Sequence, residues 1–452
     1  MRPHLLVVSL TSLISSVALA DDRPNVLLMV WDTTRADHLG LYGHERDTTP
    51  ALTRIASEGA VFSAAQSSGY WTLPAAASLF TGLFAHNHNI DYAPYRNKDY
   101  SLRLPEEATT LAEAFQRAGY RTGMFNASAI ITDNDSYRQG FDVFEFSGEH
   151  RLADRALEFI EAPSDQPYFA VIWYLTPHAP YEPEAPYDKW VDHSLPPINI
   201  SGCSKKAIEA AKPGYTSQCA VNNGEVTLSA VQWDQLERQY DGEILRNDTR
   251  LGALWKRLED GGRTRNLVFA LTSDHGEAFN DHEKERTWHN LPYENNQNVP
   301  LVLRHPGTVP ARRIDSAVRT MDLYPTLLEL AGVPPVPGLN AQSLLPVVRG
   351  EETAHRKNTG GNHGGLHWYF DGRHKLMFVR RDAAHAFQHP ELYDHETDPE
   401  EQTNLAKTNN ALAVQLQQEL LRFLDDTRVS VGQGAEVDAE QLELLRQMGY
   451  IE

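Results

Sequence analysis

Three apolar runs of seven or eight residues mark the most strongly predicted strands of the chain. They are Asn25–Trp31, Tyr168–Leu175 and Asn266–Thr272, and Val299–Leu303 is a shorter fourth run. Runs that are apolar at every position are typical of strands buried on both faces of a sheet. Helical patterns separate these runs, and the longest begins after Ser229, which can cap a helix. The alternation predicts an α/β fold in which helices flank a large, mixed but mostly parallel sheet.

The pattern changes after about residue 335, and this change predicts a second, smaller domain. Helix-breaking residues cluster there: Pro334, Pro335, Pro337 and Gly338. A polar stretch rich in His and Gly follows Gly350, and short strand patterns and an amphipathic terminal helix come after it. We therefore expect a main α/β domain over residues 21–350 and a smaller C-terminal α+β domain over residues 351–452.

The first twenty residues have the three-part pattern of a secretory signal. Arg2 provides a positive start, Leu5–Leu19 is largely apolar, and Ala18-Leu19-Ala20 resembles a cleavage site. A membrane anchor is the alternative, but an apolar run of ~15 residues is short for a bilayer span, which needs about 20. We expect residues 1–20 to be removed, and the mature chain to be periplasmic or secreted and to contain no membrane span.

The net charge indicates which binding partners to expect, and the two cysteines predict a disulfide. The chain has 41 Lys and Arg against 61 Asp and Glu, a net charge of −20 that disfavours nucleic acid as a partner. An anionic small substrate remains open, because a local pocket can be cationic. Cys203 and Cys219 lie in an insertion at about residues 192–226 that is rich in Pro, Ser, Lys and Gly. In an oxidising compartment we expect these cysteines to form a disulfide rather than remain free thiols.

Polar residues follow three of the predicted strands at the points where the strands end. Asp32 follows the first strand, His178 comes shortly after the second, and Asp274 and His275 follow the third. Ligands of open α/β sheets bind at the carboxyl ends of strands, so these side chains would converge if the strands are neighbours. Two carboxylates and an imidazole suit one divalent ion, which we expect to be Ca, Mn or Zn. Taken singly, an Asp at a strand end is more often a helix cap or a surface residue, so the hypothesis depends on the joint pattern.

Thr72 is the candidate nucleophile. It lies two residues before Pro74, in an Ala-rich segment that predicts a helix with Pro74 in its first turn and Gly82 at its end. The positive end of a helix attracts an anion, and a hydroxyl bound to a divalent cation loses its proton more readily than a free one. The alternative is that Thr72 only caps the helix.

An ordered series of motifs resembles the sulfatase family of the alkaline phosphatase superfamily. The segments are Asp32–Gly43, Thr48–Pro50, Thr72–Gly82, Thr176–Tyr181, Tyr240–Glu243, Ser273–Glu277, Met321–Thr326 and Glu391–Asp394. They span nearly the whole mature chain in the order of that family. The resemblance implies a large α/β domain, a smaller C-terminal domain, one divalent metal ion and cleavage of sulfate or phosphate esters.

The resemblance also assigns residues to roles. It implies Asp32, Asp274 and His275 as metal ligands, with Thr72 in contact with the same ion. Thr72 stands where sulfatases carry the Cys or Ser that is converted to formylglycine. His178 matches the sulfate-facing histidine of the family, and a family lysine matches His289. Family side chains that bind the anion are replaced by alanine at three positions: Ala76, Ala127 and Ala129.

These departures change the expected mechanism. Thr cannot be oxidised to an aldehyde, so the formylglycine route of sulfatases is closed to this chain. We expect an exported, metal-dependent hydrolase that cleaves sulfuric or phosphoric esters of a small molecule or glycan, with Thr72 as the nucleophile. His178 and His289 would hold the non-bridging oxygens or protonate the leaving group, and Arg35 would face the substrate anion. A phospho-head-group transferase or phosphodiesterase of the same superfamily, and an inactive binding protein on the sulfatase fold, are the alternatives.

Overall fold

The described part of the chain, taken from a computed structural model, comprises residues 22–90, 102–132, 134–203, 208–209, 211–355, 358–363, 366–379 and 388–431. The predicted signal, residues 1–20, lies outside the described residues. Within them the strands are β1 (Asn25–Trp31), β2 (Ala60–Gln66), β3 (Arg121–Asn126), β4 (Val143–Phe146), β5 (Tyr168–Tyr174), β6 (Asn199–Ser201), β7 (Tyr215–Ser217), β8 (Leu267–Thr272), β9 (Ala278–His282), β10 (Glu285–Trp288), β11 (Asn298–Arg304), β12 (Arg312–Ile314), β13 (Val318–Arg319), β14 (Thr359–His363), β15 (Leu366–Phe370), β16 (His374–Val379) and β17 (Gln388–Asp394).

The helices of the same residues lie between these strands, except the last helix, which follows β17. They are α1 (Pro50–Ala56), α2 (Thr72–Thr81), α3 (Ala85–His88), α4 (Leu111–Arg117), α5 (Ala129–Thr132), α6 (Glu149–Glu161), α7 (Gln218–Asn222), α8 (Ala230–Asp260), α9 (Glu294–Gln297), α10 (Leu323–Leu330), α11 (Leu345–Arg349) and α12 (Asn410–Asp426). Short 3-10 turns occur at Ala36–His38, Gly40–Tyr42, Asp135–Arg138 and Thr320–Asp322. The predicted cap of the longest helix is confirmed, because the Ser229 side chain accepts from Gln232 N in a capping box.

The large sheet is mixed and mostly parallel, as the sequence predicts. Its strand order is β12-β2-β11-β8-β1-β5-β3-β4, with β13 also paired to β2. Strand β1 lies between β5 and β8 and is parallel to both, with Val30 opposite Trp173 on one side and Thr272 on the other. Strand β11, the fourth apolar run, is antiparallel to β2 and β8. The three strands with polar residues at their ends are therefore neighbours whose carboxyl ends lie at one edge.

The sheet is buried on both faces, which explains why β1 is apolar at every position after Asn25. Leu28 and Val30 point into one core, which α2, α4, α10 and α11 complete. Leu27 and Met29 point into the opposite core, against α1, α6 and α8. Each such side chain contributes about 1.5–3 kcal/mol by leaving water. The strand that carries Asp32 is thus held from both sides.

The C-terminal part of the described chain forms an antiparallel sheet in the order β14-β15-β16-β17. Helix α12 packs on it in a third core, to which Phe84 and Met321 of the preceding region contribute. The expected α+β arrangement is confirmed, whereas the proposed domain boundary at residue 350 stays a prediction. The predicted disulfide is also present, because Cys203 is bonded to Cys219. No helix of the described residues combines the length and apolar character that a bilayer span requires.

Candidate active site

Asp32, Asp274 and His275 meet at the carboxyl edge of the central strands. Asp32 follows β1 directly, and the other two residues follow the neighbouring β8. One ligand atom from each side chain lies within 4.8 Å of the others, and all three residues are buried. The structure therefore brings together the three residues that the sequence predicts as metal ligands.

Each of the two carboxylates has one oxygen engaged and one facing the cluster. Asp32 Oδ2 accepts from Trp173 Nε1 at 3.1 Å. Asp274 Oδ1 accepts from the backbone N–H groups of Thr33 (3.1 Å) and His275 (2.9 Å). Asp32 Oδ1 and Asp274 Oδ2 are buried and accept no hydrogen bond from the described residues. These contacts aim one oxygen of each carboxylate at the same small volume.

The tautomer of His275 adds a third acceptor to this volume. Its Nδ1 lies 2.9 Å from the carbonyl oxygen of Gly276, which can only accept, so Nδ1 carries the proton. The lone pair of His275 Nε2 then faces Asp274 Oδ2 at 3.3 Å and Asp32 Oδ1 at 3.9 Å. Three acceptors at these distances repel one another unless a cation lies between them.

The electrostatics of the cluster reflect that repulsion. Burial and the neighbouring charge of Asp274 raise the pKa of Asp32 well above its usual range. Burial also raises the pKa of Asp274, and burial lowers the pKa of His275 to about 3. No Lys or Arg of the described residues forms an ion pair with Asp32 or Asp274. The chain itself leaves the buried negative charge uncompensated, and the donor set fits a divalent cation.

Thr72 lies beside this cluster at the first helical position of α2. Its Oγ1 is 3.3 Å from His275 Nε2, and the residue is 1% exposed. Trp71, not Thr72, is the N-cap residue, and no side-chain capping bond is made there. The structure therefore does not support the alternative that Thr72 only caps the helix. The hydroxyl instead contacts His275, one of the three candidate metal ligands.

His178 and His289 line the same site with uncharged rings. His178 donates Nδ1–H to the carbonyl of Ala179 at 2.7 Å, and burial lowers its pKa to about 4. The His289 ring lies 4.2 Å from the His275 ring and 5.4 Å from the His178 ring, between ring centres. Burial and the neighbouring His275 hold the pKa of His289 well below its usual range. The structure thus brings both predicted histidines to the site, and burial favours the uncharged form of each ring.

The disulfide-closed insertion holds the strand that precedes His289, a role that the sequence does not indicate. Asn222 of α7 donates to Thr287 O at 3.0 Å and accepts from Arg286 N and Thr287 N at 3.1 Å. Trp288 follows with a φ of +80°, a conformation that costs free energy in a residue with a side chain. Its ring stacks on that of His289 at 4.9 Å. The insertion therefore contributes to the position of His289.

Two further residues at the site were missed in the sequence, although both belong to segments identified there. Trp173 lies in β5 and orients Asp32. Glu277 is the last residue of the motif that begins at Ser273, and its buried carboxylate lies 3.5 Å from His289 Nδ1. The signal that was available for Glu277 is a carboxylate two residues after a predicted metal ligand, His275.

Arg35 pairs with carboxylates of the chain beside the segment that follows His275. Its guanidinium pairs with Asp37 at 2.7 Å and Asp281 at 2.9 Å, and it donates to the carbonyl of Glu277 at 3.1 Å. The Arg35 side chain is 8% exposed, so its guanidinium is largely shielded from solvent. The contact between Arg35 and a substrate anion stays a prediction, and these carboxylates are its partners in this structure.

The loop after β1 is attached to helix α8 by a buried ionic group. Asp241 contacts His38 Nδ1 at 2.8 Å, His44 Nε2 at 2.9 Å and Arg46 Nη1 at 2.6 Å. Burial alone would lower the pKa of His38, but the ion pair with Asp241 more than offsets it and raises that pKa. The fold therefore favours the protonated form of His38 in the loop that begins with Asp32.

We expect this group to make stability depend on pH. In the unfolded chain the pKa of His38 is about 6.5, so above this pH the unfolded chain has released a proton that folded His38 still holds. The free energy of unfolding therefore falls as pH rises from there through the pKa of folded His38. Each unit by which folding raises the pKa of His38 adds about 1.4 kcal/mol to the free energy of unfolding, and this contribution is present in full below about pH 6.5. Urea unfolding between about pH 5 and pH 9 should show this decline in wild type and in the control His193→Gln, an exposed histidine. An unchanged decline in His38→Gln would contradict the assignment.

Comparison with known proteins agrees with these features. A family model described as Sulfatase matches residues 24–333, more than half of the chain, and one described as N-sulphoglucosamine sulphohydrolase, C-terminal, matches residues 285–429. An arylsulfatase of Clostridium perfringens is 23% identical over 85% of this chain and 90% of its own length. The phosphonate monoester hydrolase of Agrobacterium radiobacter has a TM-score of 0.72 at 21% identity and covers 90% of this chain and 96% of its own. A protein solved with its substrate D-glucosamine-2-N,6-O-disulfate has a TM-score of 0.69 at 20% identity. The match covers 93% of this chain and 98% of that protein.

Proposed function

Because the chain belongs to the sulfatase family, whose members are ester hydrolases, we propose that it cleaves a sulfate or phosphorus ester with Thr72 as nucleophile. The observation that carries this proposal is the buried Thr72 hydroxyl, 3.3 Å from His275 Nε2 at the start of a helix. A panel of an aryl sulfate, a phosphate monoester, a phosphodiester and a phosphonate monoester, each with several divalent metals, tests it. Turnover of at least one class is the expected result.

Asp32, Asp274 and His275 are proposed to hold one divalent ion, with Thr72 beside it. Enzymes of the sulfatase family are metal-dependent, and the buried acceptors Asp32 Oδ1 and Asp274 Oδ2 support a cation here. Such an ion supplies Lewis acidity, which lowers the pKa of a hydroxyl and stabilises charge on ester oxygens. The mixed oxygen and nitrogen donors suit Ca, Mn or Zn.

The chain's own residues are proposed to carry the covalent steps. Thr72 Oγ1 bonds to the sulfur or phosphorus atom while the ester oxygen leaves with the electron pair of its bond and takes up a proton. Water then attacks the same atom, the bond to Thr72 Oγ1 breaks, and the hydroxyl regains its proton. Formylglycine chemistry is not needed for either step.

The charge of the site favours a substrate with a single negative charge at the reacting group. The structure has buried alanines, Ala76 and Ala127, at positions where the family carries cationic side chains. His178 is uncharged at neutral pH because burial lowers its pKa to about 4. With so few cations from the chain, a sulfate monoester, a phosphodiester or a phosphonate monoester is better neutralised than a dianionic phosphate monoester. The relative solved with a disulfated glucosamine supports a small molecule or glycan as the rest of the substrate.

Export to the periplasm or the medium is part of the proposal. The signal-like pattern of residues 1–20 supports it, and so does the Cys203–Cys219 disulfide, since disulfides persist in oxidising compartments. We expect the mature protein to begin at Asp21. Intact mass spectrometry without reduction measures both features, and an uncleaved N-terminus with two alkylatable thiols would contradict export.

A further inference from the structure

A cavity of about 390 Å³ lies at the amino ends of the central strands, on the edge of the large sheet opposite the candidate active site. Its wall includes the first residues of β1, β3 and β5, which are Asn25, Arg121 and Tyr168, and Arg263 from the turn before β8. Because Asn25 begins β1 and Asp32 follows its end, the cavity is roughly 20 Å from the candidate metal ligands. A ligand bound here would occupy a separate site.

Three guanidinium groups line this cavity, in a chain whose net charge is −20. They belong to Arg23, Arg121 and Arg263. Arg121 donates to Phe159 O at 3.1 Å. Neither Arg121 nor Arg263 forms an ion pair with the described residues. Burial lowers the pKa of Arg121 and so disfavours its charge, which an anion in the cavity would stabilise.

The two carboxylates of the cavity wall do not cancel this positive charge. Glu161 pairs at 3.3 Å with Arg257, which is not part of the wall. Asp165 is exposed and forms no ion pair with the described residues. The wall therefore carries three guanidinium groups against two carboxylates, one of which already has a cationic partner. This local charge favours an anion, in contrast to the net charge of the chain.

The hydroxyl of Tyr168 is an independent indication of a ligand. Tyr168 is 3% exposed, and its hydroxyl forms no hydrogen bond with the described residues. Burial raises the pKa of Tyr168, whereas the charges of Arg263 and Arg121 lower it, so the hydroxyl lies near both guanidinium groups. A buried hydroxyl without a partner costs free energy, which a ligand oxygen in the cavity would recover.

We propose that this cavity binds a sulfate or phosphate group, either as the free ion or as an ester of a small organic molecule. Guanidinium groups match the oxygens of both anions, and the Tyr168 hydroxyl adds a neutral donor. A tetrahedral group can accept from donors that approach from several strands, whereas a carboxylate presents two oxygens in one plane. The cavity is of the size that holds small ligands, and Ile160, Pro163 and Pro167 form apolar parts of its wall. This binding goes beyond the proposed function and does not depend on it.

Calorimetric titration of the purified enzyme at constant ionic strength tests the proposal, with sodium sulfate, sodium phosphate and sodium chloride as probes. We expect sulfate or phosphate to bind and chloride not to compete. Sulfate can also enter the active site, so the decisive comparison is with Arg121→Gln and Arg263→Gln, in which the Kd of one site should rise about 10–100-fold. Titration of Thr72→Ala with glucose 6-sulfate shows whether the cavity prefers the ester or the free ion.

The matched control is Arg349→Gln. Arg349 pairs with Glu329 at 3.2 Å and ends α11, which packs beside β12 at the far end of the sheet. Its replacement should leave the Kd of each probe unchanged. If Arg121→Gln and Arg263→Gln also leave every Kd unchanged, or if chloride displaces sulfate at equal concentration, the proposal is overturned.

Two further variants test the cavity with little risk to the fold. Tyr168→Phe breaks no hydrogen bond with the described residues, so without anion it should melt at or above the wild-type temperature. Its gain in melting temperature on addition of sulfate should be smaller than that of wild type. Asp165→Asn removes an exposed negative charge from the wall and should lower the Kd for sulfate.

An equal gain in melting temperature for Tyr168→Phe and wild type, with an unchanged Kd in Asp165→Asn, would place the bound anion elsewhere and overturn the proposal. None of these measurements needs turnover. An enzyme that binds sulfate in this way but cleaves no ester would therefore contradict the proposed function alone.

Discussion

Replacement of Thr72 by alanine is expected to lower kcat at least about 10³-fold on every ester that the wild type cleaves. The hydroxyl is buried beside His275, and no other Ser or Thr hydroxyl of the described residues contacts His275 Nε2. Thr72→Ser should keep part of the activity because the hydroxyl remains. Steady-state kinetics on the ester panel measure both variants.

The control for this experiment is Ser78→Ala on the same helix. Ser78 is buried and contacts His88 rather than the candidate metal ligands, so its loss should leave kcat within about tenfold of wild type. Metal content and melting temperature of all variants should stay close to those of wild type. If Thr72→Ala hydrolyses the panel at the wild-type rate, the covalent mechanism is wrong.

The same panel distinguishes the classes of ester. We expect phosphorus esters to be turned over at least as well as sulfate esters, because Thr72 lacks the geminal-diol route by which formylglycine releases sulfate. A strong preference for sulfate would contradict this expectation. Failure of the wild type on every substrate would favour the inactive binding protein, and turnover only with an added alcohol acceptor would favour the transferase.

Asp274→Asn is expected to abolish metal binding and to lower kcat at least about 10³-fold. The buried carboxylates of Asp32 and Asp274 face each other with no cation from the described chain, so bound metal should stabilise the fold. At a free metal concentration of 100 times Kd, that stabilisation is about 2.7 kcal/mol. Elemental analysis should find about one ion per chain in wild type, and chelator should lower its melting temperature but not that of Asp274→Asn.

Asp248→Asn is the matched control. Asp248 is as buried as Asp274, but its carboxylate accepts hydrogen bonds from the backbone N–H groups of Ala51 and Leu52 rather than facing the candidate metal ligands. It should lose stability, keep the metal and keep the response to chelator. Stoichiometric metal in Asp274→Asn would mean that the ion lies elsewhere. A wild-type melting temperature that chelator leaves unchanged would contradict a metal in this cluster.

The sequence predicts those strands and helices that are marked by residues within or next to the element itself. Apart from Asn25 and Thr272 at two strand ends, β1, β5 and β8 consist of apolar and aromatic residues, because both faces of the sheet are covered. A strand buried on both faces does not alternate between polar and apolar residues, so it is recognised as a continuous apolar run. Ser229 begins the longest helix because its cap is made with a residue three positions away. Asp32, Asp274 and His275 could be predicted for the same reason, since Asp32 directly follows β1 and the other two come shortly after β8.

Which polar side chains pair with each other could be learned only from the tertiary structure. Arg35 lies three residues from Asp32, yet it pairs with Asp281, because strand order brings the loops after β1 and β8 together. Glu277 meets His289, and Asn222 meets Thr287, through turns that no local pattern specifies. Hydrophobic periodicity in the sequence indicates which residues are buried. The partner of a polar side chain depends instead on how strands and helices that are far apart in the chain are arranged next to each other. The sequence therefore determined which residues stand at the edge of the sheet, and packing determined which of them face the reacting group.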